Sequence, residues 1–333
     1  MSRSVTTWLL TILLVGAAAW PAAAYLKLGA SFGGRVISIQ WAQQPIRYFI
    51  TNRGVPGVSA TQLRTAVDRA AQSWQDVSTS SVSFQSVGFT GAEPFDEDGI
   101  VTIGFQDHPE LDRVLGTTGF VVDVLTGNIV EADIFLNSTF PWSVAAAGET
   151  GRFDVESIAL HEIGHLAGLS HSLLGETELT AGRRRVIAAE AVMFPIAFTA
   201  GVVEGRTLRA DDVAGISDIY PDGGFRSQTG SVGGRVTRNG RGIFGAHIVA
   251  FHPQSGKMVG GFTLSSTGEF VIAGLAPGPH ILRVEPLDDA AIDSFFGESP
   301  PPETGFAVTY LDQLAIVPAG GNAQVADIAV RIE

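Results

Sequence analysis

The chain has 333 residues, of which 45% are hydrophobic and 17% are charged, so it has the composition of a globular protein rather than a disordered one. Its 34 Asp and Glu residues outnumber its 21 Lys and Arg residues, and the net charge of −13 makes nucleic acid and anionic membranes poor partners. The sequence contains no cysteine, which excludes disulfide bonds, thiolate metal ligands and cysteine catalysis.

Residues 1–24 have the pattern of a secretory signal peptide. Arg3 precedes an apolar run that begins at Trp8, and small residues stand before Tyr25, where we expect cleavage. An uncleaved membrane anchor is the alternative, but the run is short for a membrane and Pro21 interrupts it. We therefore predict a secreted or periplasmic protein with no stable membrane insertion after cleavage.

Helical and strand patterns alternate through residues 25–222, which we predict to form one domain. Ser59 and Gln62 have the spacing of a capping box ahead of apolar residues at helical intervals, which predicts a helix over 59–76. Alternating or continuous apolar runs predict short strands at 47–50, 82–84, 100–105, 115–122 and 129–136.

Two further helices are predicted nearer the end of this domain. Asp154 is placed to cap a helix over 155–167, and Gly168 stands where a helix commonly ends. Apolar residues at helical intervals predict a last helix that Pro221 closes.

The pattern changes after residue 222. Residues 223–230 are rich in glycine and polar residues and are predicted to be a linker. Short β-type runs separated by Gly, Pro and Asn-Gly follow over 231–333, with no helical pattern. This spacing predicts a small all-β sandwich of about 100 residues.

Three of the seven histidines lie within one short stretch, His161, His165 and His171. His161 and His165 are four residues apart on the predicted helix, so their imidazoles share one face and can bind one Zn²⁺. Gly168 allows the chain to turn back and present His171 as a third ligand. Three protein ligands with one open position are typical of a catalytic zinc rather than a structural one.

Glu162 projects to the side of the two helical histidines, where it can accept a proton from a water activated by the metal. The alternatives are histidines that serve only the core or surface, and a zinc site without catalysis. Five specified residues at fixed offsets make the first alternative a rare coincidence, and the presence of Glu162 argues against the second.

At this point the sequence resembles the metzincin metallopeptidases, whose pattern HExxHxxGxxH is matched in full by residues 161–171. Residues 191–195 resemble the Met-turn of the matrixin subgroup, which implies that Met193 lies beneath the zinc. The resemblance implies an α+β fold, with a metzincin-type catalytic domain (a twisted mixed sheet plus the active-site helix) ahead of the sandwich.

The same resemblance implies one catalytic zinc ion and an extended polypeptide substrate. It implies that Leu115 and Gly116 at an edge strand, and Phe194 and Pro195 after the Met-turn, bind that substrate. Residues 133–137 lack the histidine that binds a second, structural zinc in many relatives, so we predict none. Calcium is compatible with the family, and no motif here supports it.

Residues 231–333 resemble the carboxypeptidase regulatory-like, transthyretin-like repeat, through short motifs such as Gly274-Leu275-Ala276-Pro277-Gly278. This likeness implies a non-catalytic module. The sequence as a whole predicts a secreted zinc-dependent endopeptidase in which Glu162 is the general base and acid. The alternatives are an extracellular binding or adhesion protein with a vestigial zinc site, and a zinc hydrolase of non-peptide substrates. The natural substrate and the oligomeric state do not follow from the sequence.

Overall fold

A computed structural model describes residues 27, 29–32, 35–180, 183–287 and 301–332. The predicted signal peptide lies outside the described residues. Among these residues no helix combines the length and apolar character that crossing a membrane requires. We call the described residues up to 222 the N-terminal unit and those from 223 onward the C-terminal unit.

The N-terminal unit contains both strands and helices. Its strands are β1 (Gly29–Phe32), β2 (Arg35–Ser38), β3 (Ile46–Thr51), β4 (Phe84–Thr90), β5 (Val101–Gln106), β6 (Gly116–Val122), β7 (Ile129–Asn137), β8 (Trp142–Ser143), β9 (Phe153–Asp154), β10 (Gly175–Thr180) and β11 (Arg183–Ala189). Its helices are α1 (Ala60–Gln75), α2 (Val155–Leu166) and α3 (Ala210–Ile219), with a 3-10 turn at Glu204–Arg206. The predicted helices of this unit and most of its predicted strands are confirmed to within a few residues. The strand predicted at 82–84 is misplaced, because the observed strand begins at Phe84 and continues to Thr90.

The largest sheet of this unit has five strands in the order β4-β3-β5-β7-β6. Four of them run parallel, and β6 pairs antiparallel with β7, with Thr118 opposite Ile134. Strand β7 is buried along almost its whole length, as expected for a strand inside a sheet covered on both faces. The mixed sheet with its helices confirms the α+β prediction and leaves β6 as an edge strand.

Helix α1 begins with the predicted capping box, in which the Ser59 side chain accepts a hydrogen bond from the backbone of Gln62 and the Gln62 side chain accepts one from the backbone of Ser59. Its buried stripe includes Leu63, Val67 and Trp74. The Trp74 indole donates a hydrogen bond of 2.8 Å to the carbonyl of Leu160, which fixes α1 against α2. Burying this stripe therefore orients the helix that carries the histidine motif.

Helix α2 is capped at both ends. The Asp154 carboxylate accepts a 2.9 Å hydrogen bond from the Ser157 backbone and also pairs with Arg206. At the other end Gly168 has a φ of +102°, and a Cβ there would lie 2.7 Å from the Ile39 carbonyl. Only glycine accepts this conformation and this contact, so the chain reverses as predicted after the helix.

The C-terminal unit is all-β after the short helix α4 (Phe225–Gln228), which lies in the segment predicted as a linker and buries Phe225. Its strands are β12 (Gly230–Arg238), β13 (Arg241–Gly242), β14 (His247–Phe251), β15 (Met258–Phe262), β16 (Glu269–Leu275), β17 (Gly278–Glu285), β18 (Thr309–Tyr310), β19 (Ala315–Val317), β20 (Asn322–Gln324) and β21 (Ile328–Ala329). They form two five-stranded sheets, one built around β12 and one around β14 and β17. The all-β character is therefore confirmed.

Two of the β-type runs within 231–333, at residues 306–311 and 325–332, predict strands that are much shorter in the structure. Strand β18 pairs with β17 through two residues, and β21 pairs with β12 through two. Apolar residues outside these short pairings are divided between burial, as at Phe306, and exposure, as at Ile332. An alternating apolar pattern at a sheet edge thus overstated the length of backbone pairing.

The two units are in direct contact. Leu174 and Ala191 of the N-terminal unit form a small buried cluster with Val249 of β14. The backbone N–H of Gly260 in β15 donates a 2.8 Å hydrogen bond to the buried carboxylate of Asp211 in α3. The sheet that contains β14 and β15 therefore packs on the segments that flank the histidine motif.

Candidate metal centre

The structure brings the three predicted imidazoles together. One ligand atom from each of His161, His165 and His171 lies within 4.8 Å of the others. The Nε2 atoms of His161 and His165 are 3.1 Å apart, and the ring of His171 has its centroid 5.3 Å from that of His161 and 4.7 Å from that of His165. Tetrahedral bonds of about 2.0–2.1 Å place ligand nitrogens roughly 3.3 Å apart, so the spacing fits one ion.

Backbone carbonyls set the orientation of the two helical imidazoles. The Nδ1 atom of His161 lies 2.8 Å from the carbonyl of Val192, and that of His165 lies 2.8 Å from the carbonyl of Leu169. A carbonyl can only accept, so each Nδ1 carries the proton and each Nε2 presents a lone pair. Two lone pairs directed at each other inside a protein repel, and a cation between them removes the repulsion.

Burial also keeps these imidazoles neutral. Desolvation lowers the pKa of His161, and it lowers the pKa of His165 to about 3 with a further contribution from the neighbouring His161. Metal binding requires neutral imidazole, so the site is prepared for a cation near neutral pH.

Met193 lies directly against helix α2, which carries His161 and His165. Its thioether is buried, and a Cβ added to Gly164 would lie 2.3 Å from the Met193 sulfur and 2.8 Å from Trp74. Gly164, between the two helical histidines, therefore permits the close approach of Met193. The backbone N–H of Ser172 donates a 2.8 Å hydrogen bond to the Met193 carbonyl, which connects the third histidine to the same turn.

A buried carboxylate holds the Met193 turn in place. Asp212 of α3 accepts hydrogen bonds from the backbone N–H groups of Val192 (2.8 Å), Met193 (3.1 Å) and Arg209 (2.8 Å). Burial raises the pKa of Asp212 to about 6, although these three donors oppose the shift. Asp212 thus fixes the Met193 turn to helix α3, the last helix of the N-terminal unit.

Glu162 is 5% exposed and lies beside the histidines. The Thr118 hydroxyl on β6 lies 2.7 Å from Oε2 of the Glu162 side chain and 3.0 Å from the Glu162 carbonyl. Burial raises the pKa of Glu162 to about 7, and the hydrogen bond from Thr118 partly opposes that rise. A carboxyl group that titrates near neutral pH is suited to both accepting and returning a proton.

The four residues predicted to bind substrate lie around this centre. Gly116 begins edge strand β6, and a Cβ there would be 3.0 Å from Oε1 of Glu162; Leu115 directly precedes it. Phe194 and Pro195 follow Met193 and line a cavity beside the centre. Sequence reasoning did not single out Thr118.

Gly164 and Asp212 were also missed as supporting residues. Gly164 occupies an unspecified position of the histidine pattern, and its close contact with Met193 depends on the fold. The one available signal for Asp212 was the pair of adjacent carboxylates in the first turn of helix α3. The contact between Thr118 and Glu162 joins residues 44 positions apart and left no local pattern.

The profile of the matrixin family, peptidase family M10, matches residues 40–221, which is more than half of the chain. The chain belongs to the matrixin family. Matrixins are metallopeptidases that use zinc, and the cluster of three histidines has the donor set and spacing for that ion.

Individual relatives match parts of the chain. Matrix metalloproteinase-16 of Rattus norvegicus is 30% identical over 136 residues, which are 40% of this chain and 22% of that protein. Metalloendoproteinase 2-MMP of Arabidopsis thaliana is 32% identical over 173 residues, 48% of this chain and 37% of that protein. Among solved structures, the Bacillus anthracis TIE protein is 17% identical with a TM-score of 0.20, over 32% of this chain and 17% of that one. The chain therefore spans well under half the length of these curated relatives.

Proposed function

We propose that this matrixin is a zinc-dependent endopeptidase, with His161, His165 and His171 as zinc ligands and Glu162 as general base and acid. The observation that supports this most strongly is the arrangement of the imidazoles. One nitrogen from each imidazole lies in a single cluster, and backbone carbonyls hold the Nδ1 atoms of His161 and His165. The buried carboxyl group of Glu162 lies alongside.

A zinc ion at this position supplies Lewis acidity that lowers the pKa of a water molecule and polarises a peptide carbonyl. Glu162 takes a proton from the attacking water and delivers it to the departing amine. Thr118 holds one carboxylate oxygen of Glu162, which leaves the other on the side of Gly116. In this reaction Glu162 therefore carries one proton in two steps, first from the water and then to the amine, while Thr118 holds its side chain in place.

We place the substrate along edge strand β6, in an extended conformation. Strand β6 pairs with β7 on one side, and no described strand pairs with its other side. An extended peptide can add to such an edge through backbone hydrogen bonds. Gly116 brings this edge close to Glu162 because a larger residue would crowd the carboxylate. Leu115, Gly116, Phe194 and Pro195 keep their proposed roles in substrate binding.

The test is Glu162→Gln in the full chain, assayed on an unstructured polypeptide with zinc content measured in parallel. Glutamine keeps the shape of the side chain and cannot accept the proton, so we expect cleavage to fall by about 10²-fold or more with zinc retained. Unchanged cleavage would contradict the role of Glu162. Absence of any polypeptide cleavage by the zinc-loaded wild type would favour the binding or adhesion protein instead.

The remaining parts of the chain have supporting roles in this proposal. Residues 1–24 direct secretion, residues 25–222 form the peptidase domain, and residues 231–333 form a non-catalytic β-sandwich module. The zinc ion is the one catalytic metal, and the donor set gives no support for calcium.

A further inference from the structure

The three histidines of the metal centre are positioned in two different ways. His161 and His165 lie on helix α2, whose hydrogen bonds fix the backbone that carries them. His171 comes after the helix and belongs to no helix or strand. The place of its imidazole therefore depends on the contacts made by the residues that follow it.

Ser172, the next residue, is held through both its backbone and its side chain. Its backbone N–H donates a 2.8 Å hydrogen bond to the carbonyl of Met193. Its hydroxyl donates to the carboxylate of Asp211 in α3 and accepts a 3.2 Å hydrogen bond from the backbone N–H of Leu174. Ser172 is only 4% exposed, so these bonds fix the point from which the chain presents His171.

The carboxylate that holds Ser172 is also bonded to the C-terminal unit. The backbone N–H of Gly260 in β15 donates a 2.8 Å hydrogen bond to Oδ1 of Asp211. Strand β15 is the outermost strand of its sheet, and an N–H on the open side of such a strand is available to a partner outside the sheet. Asp211 is 2% exposed, so water cannot replace this donor unless the two units separate. Asp211 thus joins the C-terminal unit to the residue next to His171.

Close packing surrounds this hydrogen bond. A Cβ added to Gly260 would lie 2.9 Å from the His247 ring and 3.4 Å from Leu174. A Cβ added to Gly274 in β16 would lie 2.7 Å from the Cβ of Ala214 in α3. Strands β15 and β16 belong to different sheets, so both sheets of the C-terminal unit reach the N-terminal unit. The contact is therefore a packed surface and not one isolated bond.

We propose that the C-terminal unit completes the metal centre, with Gly260 and Asp211 acting as positioning residues for His171 through Ser172. The proposal rests on the zinc site of the function proposed above. The docked C-terminal unit keeps the third imidazole at the distance from the other two that one ion requires. A looser contact lets that imidazole move away, so zinc affinity depends on a part of the chain that touches neither metal nor substrate.

The test measures the zinc affinity of the full chain by competition with a chromophoric chelator, together with the visible spectrum of the Co²⁺-substituted protein. Gly260→Ala keeps the backbone N–H and forces a Cβ against the His247 ring and Leu174, which opens the contact from the C-terminal side. We expect zinc to bind at least about tenfold more weakly, as when residues behind the ligands of a metal site are changed, and the Co²⁺ bands to shift.

Gly305→Ala is the matched control, because it makes the same substitution in the same unit and its Cβ meets no heavy atom closer than 4.0 Å. It should bind zinc as the wild type does.

A second pair of variants tests the contact from the other side. Asp211→Ala removes the acceptor for both Gly260 and Ser172, so we expect zinc binding to weaken by at least about tenfold. Asp211→Asn keeps the shape, an oxygen for Gly260 and an amide for Ser172, and should restore affinity. Circular dichroism of the metal-free variants separates positioning from destabilisation, since zinc affinity is reduced by unfolding only in proportion to the fraction unfolded.

Wild-type zinc affinity in a folded Gly260→Ala would overturn the proposal, as would an equal loss in Gly305→Ala. A loss in Asp211→Ala alone would also overturn it, because the positioning would then lie within the N-terminal unit. If Gly260→Ala does not fold, Val249→Ala replaces it by removing the contact with Leu174, and the same outcomes decide. Cleavage is not measured, so a wild type that binds zinc and cleaves no polypeptide refutes the peptidase function and not this coupling.

Discussion

The two carboxylate oxygens of Glu162 lie in different surroundings, and this difference fixes the orientation of the carboxylate. Oε2 is held by the Thr118 hydroxyl, while Oε1 lies towards Gly116. A base that must accept a proton from one place and deliver it to another benefits from a fixed orientation. Thr118 therefore acts as a positioning residue for the proposed reaction.

Thr118→Val removes that hydrogen bond at nearly constant volume. Hydrogen bonds to charged groups contribute about 1.5–3 kcal/mol, so we expect kcat to fall roughly tenfold or more with little change in KM. Loss of the bond also raises the pKa of Glu162 further, because the bond opposes the effect of burial. The acidic limb of the pH–rate profile consequently moves to higher pH, which steady-state assays between pH 5 and 9 measure.

Thr118→Ser is the matched control for that experiment, since it keeps the hydroxyl and should restore both kcat and the position of the acidic limb. A valine variant with the wild-type profile would show that Thr118 does not position Glu162.

Gly164 illustrates steric requirements at the same scale. In Gly164→Ala the new Cβ meets the Met193 sulfur and the Trp74 ring, both buried and neither able to withdraw into solvent. Overpacking of this kind costs about 1–3 kcal/mol, so we expect the free energy of unfolding to fall by that amount. Denaturant titration of the full chain measures it.

The comparison variant for Gly164→Ala is Gly91→Ala, because a Cβ at Gly91 has no heavy atom within 4 Å. Equal stability of the two variants would argue that Met193 can move away from the helix at little cost.

Among the elements, helix α2 and the turn around Met193 depend on each other. The carbonyl of Val192 orients His161, while Asp212 of α3 holds the N–H groups of Val192 and Met193. Helix α3 therefore stabilises His161, a proposed zinc ligand, through the backbone of Val192. An element that follows the metal site in the chain thus takes part in building it.

Local sequence patterns predicted these elements well. The Ser59–Gln62 box, the Asp154 cap and Gly168 each depend on neighbouring residues, so their physics is visible in a short window. The histidine spacing likewise requires only that the segment be helical. These features predicted the helices and the histidine cluster with good accuracy.

Contacts across the fold were beyond such patterns. The bond between Gly260 and Asp211 spans 49 residues, and the cavity is completed by Leu287, which is farther still from Phe194. Packing of two units decides these contacts, and no periodicity in one segment encodes them. The packing of the C-terminal unit on the N-terminal unit could therefore not be predicted from the sequence.

At the scale of the whole molecule, Asp211 connects the two units and carries a pH dependence. Burial and the charge of Asp212 raise the pKa of Asp211 from 3.8 to about 7, against the bond from Gly260. As the pH rises from about 4 to about 7, Asp211 loses its proton in the unfolded chain and keeps it in the folded chain. The free energy of unfolding should therefore decrease with rising pH through this interval.

Asp211→Asn has no proton to lose at this position. We expect its free energy of unfolding, relative to wild type, to increase between pH 4.5 and pH 7.5 in urea titrations. Asp312→Asn, at an exposed aspartate of the C-terminal unit, should follow the wild type across the same range. A constant difference between Asp211→Asn and wild type at the two pH values would contradict a raised pKa at the contact between the units.

X-ray absorption at the zinc edge of the full-length, zinc-loaded protein tests the proposed metal centre most directly. We expect one zinc ion per chain, bound by three imidazole nitrogens and one solvent oxygen at about 2.0–2.1 Å. The His171→Ala variant should lose one nitrogen from this set and bind zinc more weakly. A sulfur ligand, a fourth ligand from the protein, or a coordination sphere unchanged in His171→Ala would contradict the centre and the hydrolysis proposed from it.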